Sequence, residues 1–230
     1  MEALQSFFRS LQLTLKTVLF LKLKTNPVAS GKAVVNLEHA LVQYQTFTRH
    51  VAHLLGLARQ GAVRQGWDGV ARELARNIGQ ELGSDSEGVP HHQLLATALR
   101  REFLFDVHAH TQSAATDRFI RRLLAELGNK NAYRAVGAAY ALEDTAVPEL
   151  EVVLSLVRYL AAGRPLAAET KAFFDHHLKV WEPSHEKELR LAAAPLLGAP
   201  SAKNDFQAGF MAVMAAMEEW WSALAREAGS

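Results

Sequence analysis

Lys32-Ala-Val-Val-Asn-Leu-Glu-His-Ala-Leu-Val-Gln-Tyr-Gln-Thr-Phe47 places Val34, Val35, Leu37, Leu41, Val42 and Phe47 largely at three- and four-residue intervals. Apolar residues spaced in this way line one face of a helix, whereas a half-buried strand needs them at every second position. The same period extends in both directions along the chain. It predicts a first helix over about Ala3 to Lys24, ended by Thr25-Asn-Pro27, and a second over about Lys32 to Gln60. A third ends near Leu82-Gly83, Ser84-Asp-Ser-Glu-Gly-Val-Pro90 turns the chain, and another helix follows through Leu104. Asp106 to Ala115 carries no clear period, after which Asp117 to Leu127 reads as a short basic helix closed by Gly128-Asn129. A long apolar helix starts near Asn131, with Pro148 within it or at its end and Leu150 to Ala161 resuming the pattern. Gly163-Arg-Pro165 punctuates the chain before the last helices, over about Ala167 to Leu191 and Lys203 to Arg226. No segment alternates as a strand would, and no repeat or low-complexity linker divides the chain. The expected architecture is all-α: a single domain over residues 1–230, built as one bundle of about seven to nine helices.

Composition narrows the chemistry. The 230 residues are 49% hydrophobic and 21% charged, which suits a folded globular core and argues against disorder. With 25 basic and 24 acidic side chains the formal charge is +1, too small a field to indicate nucleic acid or an anionic membrane as partner. Cysteine is absent, so disulfides, thiolate metal sites and cysteine nucleophiles are excluded together. The most apolar early stretch, Thr17-Val-Leu-Phe-Leu-Lys-Leu-Lys24, is interrupted by lysines well short of the roughly 20 residues that span a bilayer. It also lacks the small-residue cleavage site of a secretory signal, and a cytoplasmic address is the expectation.

Three segments carry side chains suited to a metal. In Phe173-Phe-Asp-His-His-Leu-Lys-Val-Trp-Glu-Pro-Ser-His-Glu-Lys-Glu-Leu189 these are His177, Glu182 and His185. On a regular helix His185 lies roughly 80° around the axis from His177 and Glu182 roughly 140° from it, so the three do not share a face. Pro183 lacks a backbone donor and clashes with the preceding turn, and a bulge or kink there would bring Glu182 inward. Glu182-Pro-Ser-His185 also has the Glu-x-x-His spacing of ferritin-like di-iron bundles, but that fold needs the motif twice and no second copy occurs. The second segment runs from Asn77 to Leu95, with Glu81 closing one helix and His91-His92 opening the next across a glycine-containing turn. The third holds Glu143, at the end of a nearly unbroken apolar and small-residue surface from Ala138. A buried carboxylate requires a partner, which for Glu143 is a metal or an arginine unless it sits at an exposed helix end.

Together these segments resemble the haem-oxygenase-like di-iron oxidases and oxygenases, built on the seven-helix scaffold shared with haem oxygenase and the thiaminase-type proteins. The resemblance spans about Val35 to His185. It implies that His91, Glu143 and His177 hold one iron and Glu81, Glu182 and His185 the other. His91 fits the family continuation His-x-x-Leu-Leu, although the adjacent His92 keeps both imidazoles in view. Two departures stand out. The usual later-helix pattern is His-x-x-x-Asp-x-x-His, whereas here one more residue intervenes and glutamate replaces aspartate, and the turn from Glu81 to His91 is longer than in some members. The resemblance implies two Fe(II) ions per chain, the second more labile, with O₂ as co-substrate. It also implies a homodimer and a small amino-acid-like or carboxylate substrate undergoing oxidative cleavage, desaturation or N-oxygenation. Manganese also suits mixed imidazole and carboxylate ligands. The competing expectations are a metal-free helical binding protein, in which the same residues serve packing and caps, and a cofactor-free quinone-synthase-like oxidase.

Other polar motifs are weaker. On a helix, His108 and His110 of Asp106-Val-His-Ala-His110 point about 200° apart, and the α/β context in which His-x-His binds metal is missing. His50 and His53 beside Arg49 read as hydrogen-bonding residues, Arg118, Arg121 and Arg122 as a solvated basic face, and Trp220-Trp221 as packing.

Overall fold

The computed structural model describes residues 2–15, 37–103 and 111–227. The expected continuation of the first helix to Lys24, the Thr25-Asn-Pro27 stop, the residues 32–36, Leu104 and the His108/His110 motif lie outside the described residues.

Among the described residues every regular element is helical. The order is α1 (Glu2–Leu15), α2 (Leu37–Thr48), α3 (Val51–Arg64), α4 (Asp68–Glu81), α5 (His91–Phe103), α6 (Ala114–Leu127), α7 (Ala132–Leu160), α8 (Ala168–His176), α9 (Glu182–Ala193) and α10 (Pro200–Glu227). A π-helical segment, His177–Trp181, joins α8 to α9 into one rod, and a short 3₁₀ turn, Ala194–Leu196, follows α9. The expected all-α bundle is what the chain forms. The expected single helix over Lys32 to Gln60 is instead divided. At Arg49-His50 the backbone tightens, His50 N–H donating to the Phe47 carbonyl three residues back at 2.9 Å, and α3 departs from there.

The start of α7 follows from its cap. The Asn131 side-chain oxygen accepts from the backbone N–H of Tyr133 at 3.1 Å and of Arg134 at 3.3 Å, satisfying two of the donors that a helix start leaves open. Pro148 falls inside α7, which runs on to Leu160. Buried residues occur all round this helix, including Glu143, Asp144 and Glu149, so α7 is the axis about which the bundle packs. Its most extensive partner is α10. The two cross at glycines: a Cβ on Gly137 would lie 2.0 Å from the Phe206 carbonyl oxygen, and one on Gly209 1.9 Å from that of Arg134. No helix of the described residues is long and apolar enough to cross a membrane.

Candidate metal centre

The later-helix segment departs from α-geometry where the sequence suggests it should. A proline at position 183 cannot donate, and in a regular helix its ring collides with the carbonyl four residues earlier. The chain relieves this by widening into the π segment, with Glu182 N–H bonded to the carbonyl of His177 five residues back. An i to i+5 bond stacks Glu182 above His177, and the following α-turn carries His185 beside Glu182. The additional residue that breaks the family spacing is thus absorbed by the bulge. Replacing Pro183 with alanine removes the steric cause. The expected result is a folded protein of unchanged helicity by circular dichroism in which Glu182 rotates outward and the His185 imidazole, left facing Glu143, titrates lower than in wild type when followed by NMR.

All six sequence-derived candidates come together. Glu81 ends α4, His91 opens α5, Glu143 lies mid-way along α7, and His177, Glu182 and His185 sit on the α8–α9 rod. Carboxylate oxygens of Glu81 and Glu182 and a ring nitrogen of His185 lie within 4.8 Å of one another. His185 Nδ1 is 3.4 Å from Glu143 Oε2 and 3.5 Å from Glu182 Oε2. On the other side, His91 Nδ1 is 3.3 Å from Glu81 Oε1, and the His91 and His177 ring centroids are 4.7 Å apart. Ligands held at about 2 Å from a common ion are separated by distances of this order. Both adjacent histidines line the cavity beside this cluster; His91 is 3% exposed and faces Glu81, whereas His92 is partly exposed and its carbonyl accepts from Gln45 at 3.2 Å.

Each histidine has one ring nitrogen engaged away from the centre. His177 Nδ1 donates to the Phe173 carbonyl at 2.8 Å, His185 Nε2 to Gln80 Oε1 at 3.0 Å, and His91 Nε2 to Asp85 Oδ1 at 3.1 Å. These acceptors orient the rings, so His177 Nε2, His185 Nδ1 and His91 Nδ1 are the ring nitrogens turned to the interior. Two of those three, His91 Nδ1 and His177 Nε2, are buried with no hydrogen-bond partner among the described residues. Glu143 is held similarly, its Oε1 accepting from Asn77 Nδ2 at 2.9 Å while Oε2 faces His185. Asn77, Gln80 and Asp85 were missed by the sequence reading. The first two had a signal, since Asn77 stands four residues before Glu81 on the same face of α4 and Gln80 three residues after Asn77. Asp85 had none, because the loop 83–89 must fold back on itself, with Gly88 N–H donating to the Gly83 carbonyl at 2.9 Å, before Asp85 reaches His91. Gly83 permits this with φ +102° and no Cβ against Val89.

Electrostatics follow from burial. Desolvation by burial pushes His177 down to about 3, aided by the neighbouring His91, so its imidazole is neutral and ready to ligate. His185 behaves oppositely. Burial opposes its protonation, but Glu143 and Glu182 more than offset this and raise it to about 11. Without a metal, a proton on His185 is therefore the cation shared by two buried carboxylates. Burial likewise raises Glu182, against the opposing hydrogen bond from His185.

A cavity of about 60 Å³ adjoins the cluster, large enough for several water-sized molecules. Glu81, His91, Glu143, His177 and Glu182 form its polar end, and Phe47, Val51, Leu95, Leu142, Leu150 and Phe173 contribute an apolar wall. Trp181 stacks on His91 with centroids 4.4 Å apart and meets His177 edge-on at 4.6 Å, covering both rings. Glu149 also lines the cavity. Burial raises its carboxyl to about 7 against the hydrogen bond from Trp221 Nε1, which donates to Oε1 at 2.8 Å. Because the folded-state value lies above the ordinary one, the metal-free protein is favoured below about pH 4.5 and loses this contribution as pH rises through about 7. Glu149→Gln removes the titration, so the variant is expected to gain up to about 3 kcal/mol over wild type between acidic solution and pH 8, read by urea unfolding at both pH values.

The other polar motifs remain apart from this centre. His50 and His53 do not line the cavity. Arg121 pairs with Asp117 and Arg122 with Glu219 on the surface. Trp220 and Trp221 are packed, as expected, but each indole also donates, to Thr116 Oγ1 at 3.0 Å and to Glu149 respectively.

The helical order and the paired rods define a bundle with the haem-oxygenase-like fold. A domain of unknown function with that fold from Shewanella denitrificans OS217 superposes with a TM-score of 0.68 over 97% of this chain and 90% of its own, at 16% identity. The chain belongs to the DUF3865 family, described as a domain of unknown function with a solved structure, whose pattern it matches over residues 9–227. It is 32% identical to a CADD-like protein of unknown function from Nostoc punctiforme PCC 73102, each chain covered over 100% of its length, with a TM-score of 0.91. A second crystal structure with the same description gives a TM-score of 0.87 at 30% identity, covering 99% of this chain and 96% of that one. No curated protein sequence matches the chain.

Proposed function

We propose that this chain is a non-haem di-iron protein that uses O₂ to oxidise a small organic molecule, with Glu81, His91, Glu143, His177, Glu182 and His185 as the iron ligands. One observation carries the reading. All three histidines donate their outward N–H to a carboxylate, an amide oxygen or a backbone carbonyl, the arrangement that orients imidazoles toward a metal. The donor set fits the ion. Three carboxylates and three imidazoles are hard to intermediate ligands suited to Fe(II) or Mn(II), and two divalent cations offset the negative charge gathered in a desolvated interior.

Iron bound there supplies the electrons with which O₂ is reduced and activated. The protein's own groups do the rest. Glu143 and Glu182 flank His185, so the proton they share is released when iron binds, and affinity for iron rises with pH. Asp85, Gln80 and the Phe173 carbonyl hold the imidazoles in one orientation. Phe47, Leu95 and Phe173 keep bulk water from the oxidising end of the cavity.

Anaerobic titration of the purified protein with Fe(II) is expected to saturate at about two ions per chain, and admission of O₂ to give a transient visible absorption. A protein that takes up no iron overturns the proposal and leaves a metal-free helical binding protein, in which His177→Ala changes stability without changing metal content.

A further inference from the structure

Glu149 is 2% exposed and lines the cavity, yet it is not among the six proposed ligands and lies nearly two helical turns beyond Glu143 on α7. Its Oε1 accepts from the Trp221 indole at 2.8 Å; among the described residues Oε2 receives no hydrogen bond. A carboxyl anchored at one oxygen leaves the other as an acceptor for a group that enters the cavity. Tyr44, whose ring lies 6.0 Å from that of Trp221, lines the same cavity. Burial and the nearby Glu149 keep that phenol neutral, raised well above its ordinary value. Among the described residues that line the cavity, no lysine or arginine stands ready for a substrate carboxylate. At this end of the cavity the Glu149 carboxyl is the charged acceptor that an entering group meets.

We propose that Glu149, held by Trp221, is the substrate-recognising residue, and that the substrate is a small, largely apolar primary amine whose amino group bonds Glu149 Oε2 while its apolar body lies along the wall toward the metal end. This rests on the oxidase reading of the adjoining centre, and it selects the amine-bearing members among amino-acid-like substrates over simple carboxylic acids. The carboxyl sits where a proton is readily exchanged, so an entering amine is met as a charge-assisted pair, which is stronger than a neutral hydrogen bond.

The test uses the full chain, anaerobic, both metal-free and loaded with Fe(II), titrated calorimetrically with benzylamine and with phenylacetate. Benzylamine is expected to bind and phenylacetate to bind at least about tenfold more weakly, and Glu149→Gln, whose amide oxygen still accepts from Trp221, to weaken benzylamine by about ten- to a hundredfold. Trp221→Phe, which frees Oε1 but leaves the carboxyl in place, is expected to weaken it by less. Equal binding of amine and acid, or a Glu149→Gln protein that binds benzylamine as wild type does, overturns the inference. Iron content is measured in the same samples: iron uptake without amine selectivity removes this inference alone, and amine selectivity without iron uptake removes the oxidase reading alone.

Discussion

Replacing His185 with alanine is expected to lower iron to about one ion per chain or fewer and, in the metal-free protein, to destabilise the fold by about 3–5 kcal/mol at neutral pH. Both effects come from one position. His185 Nδ1 lies within 3.5 Å of Glu143 and Glu182, and neither carboxylate has another cationic partner at such a distance among the described residues. Truncation leaves two buried like charges facing each other, and breaking a buried pair in this way costs more than the pair itself contributed. The pH dependence follows from the same contacts. His185 is raised to about 11 from an ordinary 6.5, so its contribution to the metal-free fold is complete below about pH 6.5 and is lost as pH rises through about 11. Urea unfolding of the metal-free protein across that range is expected to show the decline in wild type and to lack it in His185→Ala. Equal iron content in the two proteins would remove His185 from the ligand set.

Gly209→Ala is expected to be the most damaging single-methyl change, costing at least about 3 kcal/mol and yielding little soluble protein at 37 °C. The added carbon would stand 1.9 Å from the Arg134 carbonyl oxygen, an atom in the backbone of α7 that cannot rotate aside. Gly137→Ala meets the Phe206 carbonyl in the reciprocal position and should behave alike. Since α7 carries Glu143 and Glu149 and α10 carries Trp221, separating these helices also opens the cavity. By contrast Gly56→Ala, where the new methyl meets nothing within 4 Å, is expected to stabilise the exposed side of α3 by up to about 1 kcal/mol. Thermal unfolding of the three variants checks the ranking, and a Gly209→Ala protein as stable as wild type would contradict the close crossing.

Helical period and punctuation were sufficient to read the class of fold, because long amphipathic stripes survive any choice of partner. The break at Arg49-His50 was not legible: neither glycine nor proline marks it, and the tight turn at Phe47 is a tertiary event. At the site, His177 and Glu182, which a regular helix would turn apart, line one cavity, and Pro183 was the visible cause. The preference for His91 over His92 rested on likeness, and in the structure the His91 ring is the one that lies against Glu81 and Asp85. The supporting acceptors show the limit most clearly. Gln80 lies on a helix and its register could be counted, whereas Asp85 depends on the fold of a loop, and the longer turn that first looked like a departure is what carries it. Glu149 was not singled out in the sequence, because only the packing of α10 against α7 brings Trp221 over it.

The central claim is that these six side chains hold two metal ions, and the most direct measurement is an anomalous-scattering map at the iron edge from crystals grown anaerobically with Fe(II). The account predicts two peaks among Glu81, His91, Glu143, His177, Glu182 and His185, with the peak beside Glu182 the weaker. A map with no peak among these residues, or with iron only at surface carboxylates, would contradict it.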